Sequence, residues 1–556
     1  MSGEKYAKKA RAMIPKAIED PSIEHIQGIL ILINHEYGLA RVSRCYTYTG
    51  LAIRMAYQLN LHKEHMFRDY DIDKFNPDRE PQSFLLTVEE WMQYEDRRRL
   101  FWEIYMQDTI TSAYAGKPTM MGTHDLDVLL PIYNSTYEVL STPVEYFQPS
   151  IDGRQCMKYA VIRDSTGQIT SIQVTPVLEN VSKRKAEENS LTMHPLTAKN
   201  HIGLEPRIIQ LIVLFAEISK YLNQESSHNK EEWMRLDQAL DDWAQALPVS
   251  LHNTRTNLEY FREHENKPFK SGQFITYHLL YNTLTILLNR YAFVLTDEED
   301  LTENLDFANN PIEQSKIETA KQKCLEAVNN VTDMLKELGD RFDVIPPFCI
   351  YFIYITATVI VNSCFSAETE EDRKNAKLAL NQCLNVLAGM RNYWATADRT
   401  YFVICDFYML HEKINRQQLR QKEQLQQLHQ QHQQHQQQPP KQASHLQHDY
   451  SSYQAQQREG LSESLPTNNL HSNYIYNNAS SVSHNSSSSI SSPFALPLAT
   501  MNSLFYSDLM AERQSFKNST LLNSNDLLNE ALSFDCWLQQ QQRHSDANKQ
   551  QYQPPK

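Results

Sequence analysis

Ala115 to Thr119 reads AGKPT, and a Gly-Lys step can cradle a phosphate when another glycine stands five residues earlier and a Ser or Thr follows the lysine. Here Thr111 occupies the place of that glycine and Pro118 follows Lys117, so the segment reads as a turn. The pairs His35-Glu36, His264-Glu265 and His411-Glu412 begin the zinc-protease helix pattern but lack its second histidine, and no GxSxG nucleophile elbow occurs. The eight cysteines, Cys45, Cys156, Cys324, Cys349, Cys364, Cys383, Cys405 and Cys536, stand fifteen or more residues apart, too far for the close pairs that shape small zinc sites. With no signal peptide at the start, they read as reduced, buried thiols. His429, His432 and His435 have a metal-like rhythm, but no cysteine or carboxylate stands near them, and a solvated Gln/His tract is the expected setting. No catalytic, cofactor or metal site is expected, and the protein is not expected to be an enzyme.

Arg97, Arg98 and Arg99 form the sharpest charge cluster. Glu89, Glu90, Glu95 and Asp96 stand just upstream and the chain has a net charge of -14, which argues against a phosphate-binding surface. Consecutive helical residues point about 100 degrees apart. One arginine is therefore expected to pair internally with the acids while the others face solvent or an adjoining segment, which gives the cluster a role in holding helices together.

The elements that must position these residues read as helices. Only 13 glycines occur, too few for repeated tight hairpins. Tyr48, Leu51, Ala52, Met55 and Leu59 recur at helical spacing, as do Phe101, Ile104 and Tyr105, and both sets are expected to face a core. Trp102 shares the second helix and is expected to be a buried anchor. Gly50, inside the first helix, costs about 1 kcal/mol relative to Ala, and marks either a close helix contact or a tolerated glycine. Phe348 to Val361 is the most apolar run, yet too short for the roughly 20 residues of a membrane span, so a core helix opened by Pro346 and Pro347 is expected. No membrane association is expected.

From Val139 to about residue 200 the helical period fades. GRQCMKYAVIRDSTGQITSIQV alternates in the manner of a short hairpin within a mobile excursion, and Ser182 to Lys185 reads as a solvated basic loop in preference to a nuclear-import signal. Beyond Arg416 the Gln-, Ser- and His-rich composition predicts a disordered tail. Near its end, Leu527, Ala531, Phe534 and Leu538 share one helical face, with Trp537 beside them and Asp526, Glu530 and Asp535 around them. Such acidic and apolar alternation is read as a candidate activation segment over residues 525–538, or as chance amphipathicity.

Two word-like segments in one order give a resemblance. Arg41 to Glu64 contains LAIRMA (Leu51 to Ala56, with Arg54 and Met55), and Glu95 to Met121 contains RRRLFW (Arg97 to Trp102) and GKP (Gly116, Lys117, Pro118). HDLDVLLP (His124 to Pro131), YHLLYNTLTILLNRYAF (Tyr277 to Phe293) and LNVLAGMRNYWATADR (Leu384 to Arg399) support them. The chain thereby resembles the middle homology region of fungal zinc-cluster transcription factors of the xylanase-activator type, with Lys117 where arginine is usual.

The resemblance implies an all-α fold, a large irregular helical bundle or solenoid-like array spanning 23–407. A leader over 1–22, a variable insertion at about 139–200 and the disordered tail at 416–556 complete the expected organisation. It implies the regulatory part of a nuclear RNA polymerase II transcription factor answering a metabolic signal, with the transcription machinery, coactivators or corepressors as partners and room for a homodimer and a small-molecule effector. In that family DNA contact belongs to a six-cysteine head holding two zinc ions. No such cluster stands in this chain, so zinc and operator binding are expected only from a missing head. The rival readings are a helical adaptor or corepressor-type protein without DNA binding, and a metabolite-binding helical protein.

Overall fold

The computed structural model describes residues 3–66, 83–122, 126–132, 146–151, 156–177, 204–223, 230–263, 268–290, 311–339, 341, 345–367 and 369–436. The described part is all-α with one small sheet. Its twelve helices are α1 Glu4–Glu19, α2 Ile23–Gly38, α3 Val42–Gln58, α4 Val88–Ala115, α5 Leu204–Leu222, α6 Lys230–Gln245, α7 Arg255–Glu263, α8 Pro268–Asn289, α9 Pro311–Leu338, α10 Cys349–Ser366, α11 Glu370–Met390 and α12 Ala395–Gln436. By packing, the chain separates after Tyr408, within α12.

In the first unit the helices form an irregular bundle. α8 packs against α5, α6, α9 and α10, a central position that a solenoid, in which each repeat touches only its neighbours, does not provide. Every residue of α10 from Cys349 to Val361 is buried. The helix is long and apolar enough to cross a membrane by composition, but most of it lies inside this core. The seven described cysteines are buried and form no disulfide, and apolar burial pushes the Cys45, Cys324, Cys349, Cys364 and Cys383 thiols up to about 12.

The stretch assigned above to a leader carries α1, which turns the buried Ala7 and Ala17 inward. α2 starts on a Ser22 cap and ends against the entry to α12. Thr396 donates its hydroxyl to the Tyr37 carbonyl, and a Cβ at Gly38 would lie 2.3 Å from a Trp394 ring carbon. Gly38→Ala is therefore expected to cost about 1–3 kcal/mol, the usual range for overpacking, as read from a urea midpoint. A neutral result would show that Trp394 swings away freely.

The alternating stretch of the sequence forms a real hairpin. β3 Cys156–Arg163 and β4 Ile169–Pro176 are antiparallel, closed by Asp164, whose carboxylate accepts the amides of Thr166 and Gln168, and by Gly167 at φ 84. It is not a free excursion. β1 Phe84–Leu86 and β2 Tyr146–Pro149 complete a sheet of order β1-β4-β3-β2, which lays Tyr159, Ile172 and Val174 over Trp91 and Met66 in a second apolar core. The sheet itself was not legible because two of its four strands span only 3 and 4 residues, and β3 and β4 are each only partly buried. Residues 133–145, 152–155 and 178–203, including Ser182 to Lys185, lie outside the described residues.

The described part of the second unit is the Gln-rich continuation of α12, which carries an Arg416–Glu412 ion pair. The helix runs past Arg416 to Gln436 because Gln, Leu, Arg, Lys and Glu are good helix formers, and neither Pro nor Gly interrupts them there. The rest of the tail, with Leu527, Phe534, Trp537 and Leu538, lies outside the described residues.

Candidate functional site

α4 carries the arginine cluster, and its ends are well specified. Thr87 and Glu90 close a capping box at its start, and Gly116 ends it in the left-handed conformation at φ 59. Between them the helix crosses the boundary between the two cores, so polar side chains on this stretch are buried and must find partners.

Arg98, only 1% exposed, grips Glu64 with both arms of its fork, Nε to Oε2 at 2.8 Å and Nη2 to Oε1 at 3.0 Å. Its Nη1 reaches Glu95 Oε2 at 3.5 Å. Burial alone would pull the guanidinium pKa down, but the Glu64 and Glu95 charges outweigh it and hold the group charged. Glu95 Oε1 also accepts Arg99 Nε at 2.9 Å and the Ile132 amide at 2.9 Å, while Oε2 accepts the Gln148 amide at 3.0 Å. Arg99 donates to the Ile132 carbonyl at 2.8 Å and pairs with Glu205 on α5 at 3.0 Å. Arg97 lies beside His65 at 3.4 Å.

These contacts gather the motif words of the sequence. Glu64 closes the α3 segment, Arg98 and Arg99 belong to RRRLFW, and the backbone they clamp belongs to the segment 126–132. Trp102, 2% exposed, donates its indole N–H to Leu129 O at 2.8 Å, and Glu64 Oε2 accepts the Leu129 amide at 3.3 Å. Met55 is buried in the α3 core, whereas Arg54 on the same helix is exposed and takes no part.

The GKP turn belongs to the same joint without supplying a contact group. Lys117 and Pro118 are exposed, and the Lys117 amide bonds to Ser112 O at 2.9 Å. Asp108 then accepts the amides of Met120 and Met121 at 2.8 and 2.9 Å and the Ser112 hydroxyl at 3.2 Å, which folds the turn back. Met120 is thereby set over Gly50, where a Cβ would meet its methyl at 3.2 Å, so this glycine marks a close contact.

Burial raises Asp108 from 3.8 to about 6 against those hydrogen bonds. The folded state then holds more protons than the unfolded one between those values, so this group's contribution to stability falls as pH rises from about 4 to 6. Asp108→Asn, which keeps an acceptor for the two amides, is expected to flatten that decline by about 1.4 kcal/mol per unit of lost shift. Denaturation midpoints measured across the interval check it, and an unchanged slope refutes it. Nearby, burial and the Glu205 carboxylate push Glu103 up to about 7.

Chemically the joint is closed. Its carboxylates are occupied by donors from α4, from β2 and from the segment 126–132, and the arrangement fixes these parts against one another. Among the described residues no group of three or more His, Cys, Asp or Glu could hold a metal ion. The pairing of Glu95 with Arg98 and Arg99 was visible as i,i+3 and i,i+4 spacing. Glu64, Gln148 and Glu205 were missed, because nothing local links them to Arg98 or Arg99.

Residues 2–245 match the family model of the fungal specific transcription factor domain. The chain is 22% identical over 404 residues to the Zn(2)-C6 fungal-type transcription factor FTF1c of Fusarium oxysporum f. sp. lycopersici, covering 71% of this chain and 37% of that protein. It is 21% identical over 448 residues to an uncharacterized transcriptional regulatory protein of Schizosaccharomyces pombe, covering 73% and 40%. The chain thus spans about two fifths of the length of these curated relatives. No solved structure matches it. Residues 2–245, which contain α1 to α6, the whole sheet and the Arg98 joint, are thus similar to the fungal specific transcription factor domain.

Proposed function

We propose that this chain is the regulatory part of a fungal RNA polymerase II transcription factor acting in the nucleus. The match of residues 2–245 to the fungal specific transcription factor domain carries this reading. In it, the helical bundle answers a metabolic signal or a corepressor, and the Arg98 joint passes movement of the segment 126–132 to α3 and α5. The tail recruits coactivators through Leu527, Phe534, Trp537 and Leu538, with Asp526, Glu530 and Asp535 keeping the segment soluble and steering it to basic surfaces. Sequence-specific DNA contact belongs to a zinc-cluster domain that these 556 residues do not contain.

The test tethers the full chain, and separately Ser519 to Gln542, to a heterologous DNA-binding domain in front of a reporter. The segment is expected to raise transcription, and Phe534→Ala with Trp537→Ala to abolish the rise. The full chain is expected to change reporter output in a manner that depends on carbon or nitrogen source. If both fusions are nuclear and neither departs from the bare DNA-binding domain, the reading fails.

A further inference from the structure

α1 is held firmly on one side and left bare on the other. Inward, Ala7 and Ala17 are buried. Arg11 pairs with Glu4 and with the buried Glu36, which also takes Arg41 at 3.3 Å and Arg44 at 3.5 Å. His35 and Arg11 hold the Glu4 carboxyl down to about 2. The only cation of α1 spent on this anchorage is Arg11.

Outward, Lys5, Lys8, Lys9 and Lys16 are all exposed, and none has an ion-pair partner among the described residues. Lys5, Lys9 and Lys16 line up along one strip at helical spacing. Beside them, Tyr6 and Met13, seven residues apart, stand 71% and 58% exposed. A helix that presents a cationic strip next to two large bare apolar side chains suits an amphipathic peptide with acidic margins. The exposed ring and thioether would add nothing to a purely phosphate-binding surface.

The chain itself contains such a peptide. Over 525–538, Leu527, Ala531, Phe534 and Leu538 fall on one helical face, with Asp526 and Glu530 along one margin and Asp535 along the other. Three carboxylates would meet four ammonium groups. As a helix the segment would be about 21 Å long against about 24 Å for α1. We infer that the outer face of α1 is the docking surface for the chain's own segment 525–538, with Tyr6 and Met13 against its apolar stripe and the lysines against Asp526, Glu530 and Asp535. The contact does not depend on the segment being an activator, so its test and the reporter test fail separately.

Zero-length carbodiimide crosslinking of the full chain, read by mass spectrometry on an equal mixture of light and heavy isotope-labelled protein, tests it. Amide crosslinks are expected between Lys5, Lys9 or Lys16 and Asp526, Glu530 or Asp535, each within a single isotope label. Lys5→Glu with Lys9→Glu and Lys16→Glu, all at exposed positions, should lower their yield roughly tenfold, as should high salt, which screens exposed pairs. Adding Asp526→Lys, Glu530→Lys and Asp535→Lys to that variant should restore crosslinks with the charges exchanged. Crosslinks of mixed label alone would overturn the proposal in favour of a second copy as the occupant. So would their absence from a chain with an unchanged circular dichroism spectrum.

Discussion

Arg98→Met is expected to destabilise the domain by about 3–5 kcal/mol, the range for removing one partner of a buried ion pair. The loss exceeds that of a surface pair because Glu64 and Glu95 would stay buried without the guanidinium that both carboxylates face. Arg98→Lys should recover only part, since an ammonium cannot bond both Glu64 oxygens in the plane of the fork. Adding Glu64→Leu to Arg98→Met should return much of the stability, as an apolar replacement of the whole pair is often neutral. A double-mutant cycle from urea denaturation measures this. A single-variant loss under about 1 kcal/mol would place Arg98 in water and remove the joint as a mechanical element.

Trp102→Ala is expected to cost about 3–5 kcal/mol, the range for deleting a buried aromatic side chain. Two parts add. The ring packs edge-on against Phe101 and Tyr105, with centroids 5.5 and 5.7 Å away, and the Leu129 carbonyl loses its indole donor. Trp102→Phe separates them, because it keeps most of the volume and leaves the buried carbonyl unpaired at about 1–3 kcal/mol. The ordering Trp, then Phe, then Ala in chemical denaturation is the expected outcome. An unchanged midpoint for Trp102→Ala would mean that the indole is exposed and that a partner surface explains its place in RRRLFW.

Local patterns were legible in the sequence wherever one element's own period or caps carried the information. The core faces of α3 and α4 and the apolar α10 follow from periodicity and length, which depend on residues a few positions apart. The turn at Gly116 follows from its glycine and proline, and the internal pairing of Glu95 with the arginines from their spacing on one helix. The hairpin of β3 and β4 was visible as alternation, and the motif words gave the resemblance that the match over residues 2–245 supports.

Only the tertiary structure decided the rest. Glu64 and Arg98 stand 34 residues apart, and Gln148 is 53 residues from Glu95. No periodicity reports such a pair, since it depends on how α3, α4 and the segment 126–132 meet. The short β1 and β2 strands acquire a sheet only by pairing with β4 and β3. Gly38 reads as an ordinary helix terminus until Trp394, from a distant part of the sequence, is packed onto it. Which of three adjacent arginines is buried was likewise beyond sequence. The helical period separates their directions, but only the packed neighbours decide that Arg98 faces two carboxylates in a dry joint, while Arg99 lies at its edge and Arg97 beside His65.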